Sequence, residues 1–207
     1  LKGKSGPDKW QQKHLAYLRD KLQEGASVDE VIQTAIAAGH GVGKSGEVAW
    51  VILWAISTRA DTRGVVTANT DTQLRTKTWA ELAKWYHLCL FRVWFELTAT
   101  SIFSKQPGHD KTWRIDAIPS AIADKIWEVI EGAMTDKNTQ ILWLCYGNPT
   151  RNTGRFFDCF NRFRHRWWTM HVDGREAAMS NKNQIEAWLQ DYGEDSDFFK
   201  VRVRGVF

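Results

Sequence analysis

The stretch Gly39-His40-Gly41-Val42-Gly43-Lys44-Ser45 decides the fold of this 207-residue chain. Because glycines lack a Cβ atom, successive backbone N–H groups can turn inward around anionic oxygens. The helix expected after these residues has an N-terminus that attracts negative charge. The Lys44 ammonium can reach the β- and γ-phosphates of a nucleoside triphosphate, and the Ser45 hydroxyl can ligate Mg²⁺. Residues 39–45, called the glycine loop below, are therefore predicted to bind ATP and Mg²⁺.

The residues on both sides of the glycine loop support this interpretation. Residues 31–37 are a mostly apolar run of strand length, and residues 47–58 carry apolar side chains at helical spacing. Loops of this type usually begin with a glycine five residues before the position of Gly43, and here Ala38 occupies that place. Since alanine is the smallest replacement, we treat it as a tolerated variant. The alternative is an ordinary glycine turn with a solvated lysine.

Composition sets only outer limits on the function. The net charge of +4 is compatible with a polyanionic partner without establishing one. Three cysteines without metal-ligand spacing are expected to be reduced and buried. No apolar run approaches the ~20 residues that span a bilayer, and the N-terminus lacks the apolar core of a signal peptide. We therefore expect one soluble domain over residues 1–207, with no membrane partner.

The predicted elements alternate along the chain, as in a parallel α/β sheet. Helices are predicted over residues 8–23, 44–58, about 70–87, 124–134 and 181–191. Strands are predicted over residues 31–37, 64–68, 91–97, 100–103, 112–115, 140–146, 166–172 and 198–203. This order predicts an α/β fold of the P-loop NTPase type (RecA/ASCE-like), with a central, mainly parallel β-sheet flanked by helices on both faces.

Several segments outside the glycine loop resemble, in the expected order, those of the large terminase subunits of tailed bacteriophages. Trp10-Gln11 is similar to the short motif that reads adenine in that family. Residues 65–73 resemble the strand and capped helix that follow the glycine loop. Residues 146–157 look like the family's coupling segment, and residues 192–205 look like the end of its ATPase region. The resemblance extends over essentially the whole chain.

This resemblance implies a DNA-packaging motor that hydrolyses ATP to pump double-stranded DNA into a procapsid. It implies catalytic charge stabilisation by Lys44, adenine recognition by Gln11 and γ-phosphate sensing by Asn148. The implied partners are the portal protein, the small terminase subunit and further copies of the chain in a ring. The implied location is the cytoplasm of the infected bacterium. The family's C-terminal nuclease domain would begin where this chain stops, at Phe207, so no nuclease activity is expected.

One part of the family's pattern is missing. Hydrolysis requires a strand that ends in an Asp-Glu pair, of which one carboxylate holds Mg²⁺ and the other polarises the attacking water. Residues 120–127 match the sequence that follows this pair, but Ile118-Pro119 stands where the pair should be. Asp116 could imitate the first acid, but no Glu follows it. Two explanations are open. The protein could contain a further segment near residues 118–120 that this sequence lacks, which we favour. Alternatively, the protein itself has lost the segment and binds nucleotide without hydrolysing it.

Other residues keep two interpretations. Gln11 could also be a solvated glutamine at a helix start, and Asn148 could simply form an Asn-Pro turn. The basic and aromatic run of residues 162–168 could contact DNA phosphates or form a solvated edge. An arginine acting in trans could be Arg114, Arg151 or Arg155, or it could lie in the missing segment. For the protein as a whole, a helicase-like motor and a nucleotide-binding module without hydrolysis are the alternative functions.

Overall fold

The computed structural model describes residues 6–23, 31–68, 70–118, 127–128, 130–132, 134–135 and 139–207. The chain divides into two compact units, the first formed by residues 1–42 and 127–207 and the second by residues 43–126. The boundary falls inside the glycine loop, between Val42 and Gly43. The two units are described separately below.

The elements follow one another in α/β order. The α-helices are α1 (Lys9–Gln23), α2 (Lys44–Thr58), α3 (Asp71–Gln73), α4 (Ala80–Leu88), α5 (Arg155–Phe160), α6 (Lys182–Tyr192) and α7 (Asp197–Phe199). The strands are β1 (Ile32–Ala38), β2 (Arg63–Val66), β3 (Phe95–Leu97), β4 (Ser101–Ser104), β5 (Arg114–Ala117), β6 (Leu142–Gly147) and β7 (Trp168–Val172). A 3₁₀-helix covers Leu90–Trp94, and π-helical turns cover Leu74–Trp79 and Lys200–Arg204.

The first unit is built on a parallel sheet with the order β6-β1-β7. All seven residues of β1 are buried, which is consistent with a mostly apolar sequence that does not alternate. On one side of this strand three tryptophans pack together, with ring centroids 4.5–5.8 Å apart: Trp127, Trp143 and Trp167. Their contact explains part of the high tryptophan content.

The second unit has a mixed sheet with the order β2-β5-β4-β3, in which only β2 and β5 run parallel. Its core joins α2 and α4 to this sheet through fully buried side chains, among them Ile56, Leu82 and Ile102. The helix that begins at Asp71 is capped as predicted, because the Thr70 hydroxyl accepts a hydrogen bond from the Gln73 amide at 3.1 Å. The α/β class and the mainly parallel sheet of the first unit agree with the prediction, but the described strands form two sheets.

Two predicted strands are wrong. The strand predicted at residues 198–203 is helical instead. The Ser196 hydroxyl caps this helix by accepting from the Phe199 amide at 3.2 Å, and Gly205 ends it in a left-handed conformation. The first half of the strand predicted at residues 91–97 is 3₁₀-helix, and only Phe95–Leu97 pairs in the sheet.

The remaining predicted elements agree with the structure to within a few residues. The helix predicted at residues 124–134 lies partly outside the described residues, although Trp127, Glu128 and residues 130–132 are helical. The break predicted near Pro119-Ser120 lies wholly outside them. Within the described ranges, no helix is long and apolar enough to cross a membrane.

Candidate functional site: the glycine loop

The glycine loop connects the end of a buried strand directly to the start of a helix. Strand β1 ends at Ala38 and helix α2 begins at Lys44, as the sequence predicts. Gly41 and Gly43 have φ angles of 71° and 93°, which a residue with a Cβ atom rarely adopts. The first N–H groups of α2 have no acceptor within the helix, so they can donate to an anion. This backbone is suited to phosphate oxygens.

The first two residues of the loop are held by the protein itself. The Gly39 amide donates to the Val172 carbonyl at 3.2 Å, and the His40 amide donates to the Arg202 carbonyl at 2.8 Å. The His40 side chain is exposed. Phosphate contacts are therefore expected mainly from the part of the loop that begins at Gly41. Nucleotide binding by Gly39 and His40 stays a prediction.

The C-terminal segment that holds the loop was not foreseen from the sequence. A Cβ atom on Gly39 would lie 2.5 Å from the Val203 carbonyl oxygen, so only glycine allows this approach. Gly205 has a φ of 64°, and a Cβ atom on it would lie 2.7 Å from the Ala38 Cα atom. The Gly205 carbonyl also accepts a hydrogen bond from His171 Nδ1 at 2.7 Å. Gly205, directly after the helical turn, is the one feature of the sequence that could draw attention to this segment. It does not indicate which residues the segment contacts.

Lys44 is held in an electrostatic environment that an anion would relieve. Burial, together with the positive charge of Lys77, lowers the pKa of Lys44 to about 8. Desolvation disfavours the charged ammonium, and a second cation adds repulsion. A bound triphosphate supplies the opposite charge and would favour the charged form. Lys77 belongs to the π-helical turn after α3, and nothing in the sequence signalled its role.

Ser45, the predicted Mg²⁺ ligand, is half-buried at the second position of α2. A hydroxyl at this position fits a cation held between the loop and the phosphates. The first turn of α2 also contains Glu47, a fully buried carboxylate that the sequence interpretation missed. A negative charge in the first turn of a helix is favoured by the helix dipole. In the described part of the chain, no three His, Cys, Asp or Glu side chains form a metal-binding cluster.

Asn148 lies beside the start of the glycine loop. Strand β6 ends at Gly147, which pairs with Ala37 of β1, so the next residue comes level with the end of β1. There the Asn148 side-chain amide donates to the Ala38 carbonyl at 2.7 Å. The structure therefore places the predicted γ-phosphate sensor at the edge of the sheet where the glycine loop begins. This is the edge at which α/β folds bind their ligands.

The predicted adenine motif touches the loop through its tryptophan. The Trp10 indole N–H donates to the Val42 carbonyl at 3.0 Å. Gln11 is almost completely buried, and its side-chain oxygen accepts from the Asp8 amide at 2.8 Å. This hydrogen bond satisfies a backbone donor at the start of α1. Gln11 therefore lies at a helix start but is buried rather than solvated, and adenine recognition stays a prediction.

The other candidate charges differ in their surroundings. Asp116 forms an ion pair with Arg114 at 2.6 Å on the same strand, so both side chains have a structural role. Arg155 lies 3.8 Å from Glu131, and Arg151 is exposed. Three arginines were considered for action in trans. Among the described contacts, the Arg151 side chain makes the fewest interactions within its own chain.

We expect Gly205→Ala to damage both stability and nucleotide binding. The substitution combines strain at a positive φ with overpacking against Ala38, and together these should cost about 2–4 kcal/mol of unfolding free energy. Gly193→Ala is the matched control, because Gly193 has a φ of 77° but nothing within 4 Å of the added atom. Urea unfolding and ATP titration of both variants test this. Equal losses in the two variants would contradict the packing argument.

We expect ATP affinity to depend on pH through Lys44. With a pKa of about 8 in the free protein, Lys44 loses its charge as the pH rises above that value. Since bound triphosphate raises the pKa of Lys44, binding takes up a proton there, and the affinity should fall by up to about tenfold per pH unit. Calorimetric titrations between about pH 7 and pH 9.5 measure this fall. Lys44→Arg is the control, because arginine stays charged in this range. An equally steep fall in that variant would rule out Lys44 as the titrating group.

Comparison with known proteins supports the resemblance. No protein-family profile matches the chain. It is 26% identical over 234 residues to the probable large terminase subunit of Enterobacteria phage P7, in a match that covers 96% of this chain and 45% of the relative. The chain thus spans less than half the length of that relative.

Solved structures show the same fold. The large terminase of a thermophilic bacteriophage matches with a TM-score of 0.64 and 11% identity, over 98% of this chain and 54% of that one. A second structure of the same phage protein, in complex with ATP-gamma-S, matches with a TM-score of 0.63 and 12% identity, over 97% of this chain and 53% of that one. The ATPase domain of the Thermus phage P74-26 large terminase matches with a TM-score of 0.60 and 10% identity, over 90% of this chain and 92% of that domain. The chain is therefore similar in sequence to a large terminase subunit of a bacteriophage and has the fold of the large terminase ATPase domain.

Proposed function

We propose that this chain is the ATPase part of a motor that packages double-stranded DNA into a viral procapsid. The observation that carries the proposal is the glycine loop at the end of the buried strand β1, with Asn148 bonded to Ala38 at its start. The similarity to the phage P7 large terminase subunit along 96% of the chain supports assigning this site to a packaging motor. A helicase-like motor is not favoured by either comparison.

In this function the loop backbone and Lys44 bind the phosphates of ATP, and Ser45 ligates the Mg²⁺ that accompanies them. Mg²⁺ neutralises charge that develops during phosphoryl transfer. The partners are double-stranded DNA, the portal protein, the small terminase subunit and further copies of this chain in a ring. The motor works in the cytoplasm of the infected bacterium. Nuclease activity is not proposed for these residues.

We expect Lys44→Ala to weaken ATP binding at least about tenfold, because it removes a buried charge that faces the phosphates. The measurement is equilibrium titration with a fluorescent ATP analogue and Mg²⁺, which reports on binding whether or not hydrolysis follows. Lys111→Ala is the control, since Lys111 is exposed on a turn of the second unit. Unchanged affinity in the Lys44 variant would refute the nucleotide site.

Hydrolysis needs an acidic pair, and we further propose that the chain lacks a strand that carries it near residues 118–120. Two observations support this. Strand β6 is an apolar run, Leu-Trp-Leu-Cys-Tyr-Gly, of the kind found inside a parallel sheet, yet among the described strands it pairs only with β1. The match to the phage P7 protein is also 234 residues long, which is longer than this 207-residue chain, so the relative has residues with no counterpart here.

An insertion tests the missing strand. An apolar strand ending in Asp-Glu, placed between Ile118 and Ser120, should raise ATP hydrolysis by at least about 100-fold, because the pair positions Mg²⁺ and polarises water. The matched control carries the same insertion with Asn-Gln in place of the acids, and it should bind ATP without the gain. Phosphate release is measured with and without double-stranded DNA. If the chain without an insertion hydrolyses ATP as fast as the acidic version, no strand is missing. If the acidic version also binds ATP without hydrolysing it, the chain is a nucleotide-binding module.

A further inference from the structure

A basic cleft lies at the edge of the parallel sheet that faces away from the glycine loop. Its volume is about 370 Å³, and its walls come from α1, the start of β1 and the turn before β7. The residues that matter for the argument are Tyr17, Lys21, Arg164, His165, Arg166 and Trp168. All of them belong to the first unit. The cleft therefore does not depend on the second unit.

The cleft is separate from the nucleotide site. The cleft includes Ile32, the first residue of β1, whereas the glycine loop follows Ala38, the last. A strand of seven residues spans about 20 Å. A triphosphate bound in the glycine loop does not reach this cleft. A ligand in the cleft would therefore be a different molecule from the nucleotide.

The charge of the cleft is strongly one-sided. Its lining contains Lys21, Arg164 and Arg166 and, among the described residues, no acidic side chain. The side chains of both arginines are exposed. Within the described residues, Arg164 and Arg166 form no ion pair. Arg164 donates to the Trp167 carbonyl at 3.1 Å, and the Arg166 guanidinium lies 4.6 Å from the Phe163 ring centroid. Such contacts orient guanidinium groups while leaving their charge uncompensated.

The aromatic side chains of the cleft form its rigid wall. The Trp168 ring is stacked with Tyr17 at a centroid distance of 4.7 Å and with His14 at 5.4 Å. His14 is in turn fixed by a contact of 2.9 Å between its Nε2 and the Thr34 hydroxyl. Because the Trp168 indole already stacks with two rings of α1, it is not available to stack with an unpaired nucleotide base. The ligand groups that fit are therefore anions rather than bases.

From this geometry we infer that the cleft binds phosphates of the double-stranded DNA backbone. The inference rests on the proposed function, which supplies duplex DNA as the polyanion. Guanidinium groups bind phosphate oxygens with two parallel hydrogen bonds, and Arg164 and Arg166 flank His165 on one exposed turn. Contacts of this kind hold a duplex without reading its sequence. The site would let the motor grip DNA while a nucleotide is exchanged at the opposite edge of the sheet.

The test is DNA binding by the double variant Arg164→Ala/Arg166→Ala. Fluorescence anisotropy with a labelled duplex at about 100 mM salt should show an affinity at least about tenfold below that of the unmodified chain. The slope of log K against log salt should become shallower by about 2, because each lost phosphate contact removes about 0.9. The control is Lys105→Ala/Lys111→Ala, which removes the same charge from exposed loops of the second unit and should change the affinity less than about twofold. Circular dichroism of both variants verifies their folding.

Each outcome bears on the inference. If the arginine variant folds and binds duplex with unchanged affinity and salt slope, the cleft is not a DNA site. An equal loss in the lysine control would show a diffuse charge effect and also overturn the inference. Tighter binding of a labelled single strand than of the duplex would contradict the choice of ligand. Competition by inorganic triphosphate at concentrations that leave ionic strength unchanged would instead indicate a small-anion site. The nucleotide site is tested separately, because the Lys44→Ala titration contains no DNA.

Discussion

The structure depends on how the backbone of residues 38–40 is held. Three hydrogen bonds join this backbone to neighbouring elements of the first unit. The Gly39 amide donates to the Val172 carbonyl, the His40 amide donates to the Arg202 carbonyl, and the Asn148 side-chain amide donates to the Ala38 carbonyl. These contacts fix where β1 stops and the glycine loop turns. They are possible because Gly39 and Gly205 allow backbones to approach to distances that a Cβ atom would block. A loop that must meet phosphate oxygens with several amides at once needs this preorganisation.

Electrostatics gives the loop its preference for anions. Burying Lys44 near another cation disfavours its charge in the free protein, and a triphosphate removes that penalty when it binds. The charged form of Lys44 is therefore destabilised in the protein without nucleotide. Part of the binding free energy comes from stabilising that charge again. The basic cleft differs in its electrostatics, because its arginine side chains are exposed to solvent and charged. The first arrangement suits a small ligand enclosed by the loop, and the second suits an extended polyanion.

The sequence predicted the conformation of the glycine loop and of the helix start at Thr70 well, because local chemistry decides both. Gly41 and Gly43 could be recognised because a positive φ favours glycine, and Thr70 because its hydroxyl satisfies a helix-start amide. It failed at residues 198–203, which form a helical segment that the Ser196 hydroxyl caps. Gln11 shows a different limit of prediction from sequence. A glutamine that accepts a hydrogen bond from the Asp8 amide cannot be distinguished, by sequence, from a glutamine that binds adenine. Neither the role of Lys77 nor the contact of Gly205 could be predicted, because both depend on residues distant in the chain.

By itself, the sequence determined that a buried strand runs into a glycine-rich loop and a helix, and that no Asp-Glu pair stands where the family's pattern expects one. These follow from residue types at short spacing, where glycine conformation, helix caps and apolar runs act locally. The tertiary structure decided what surrounds the loop: Asn148 at the end of the neighbouring strand, and a C-terminal helical turn against Gly39. It also collected Arg164, Arg166 and Lys21 into one cleft at the other end of β1. Such arrangements depend on strand order and on close packing between distant segments, which no local pattern specifies.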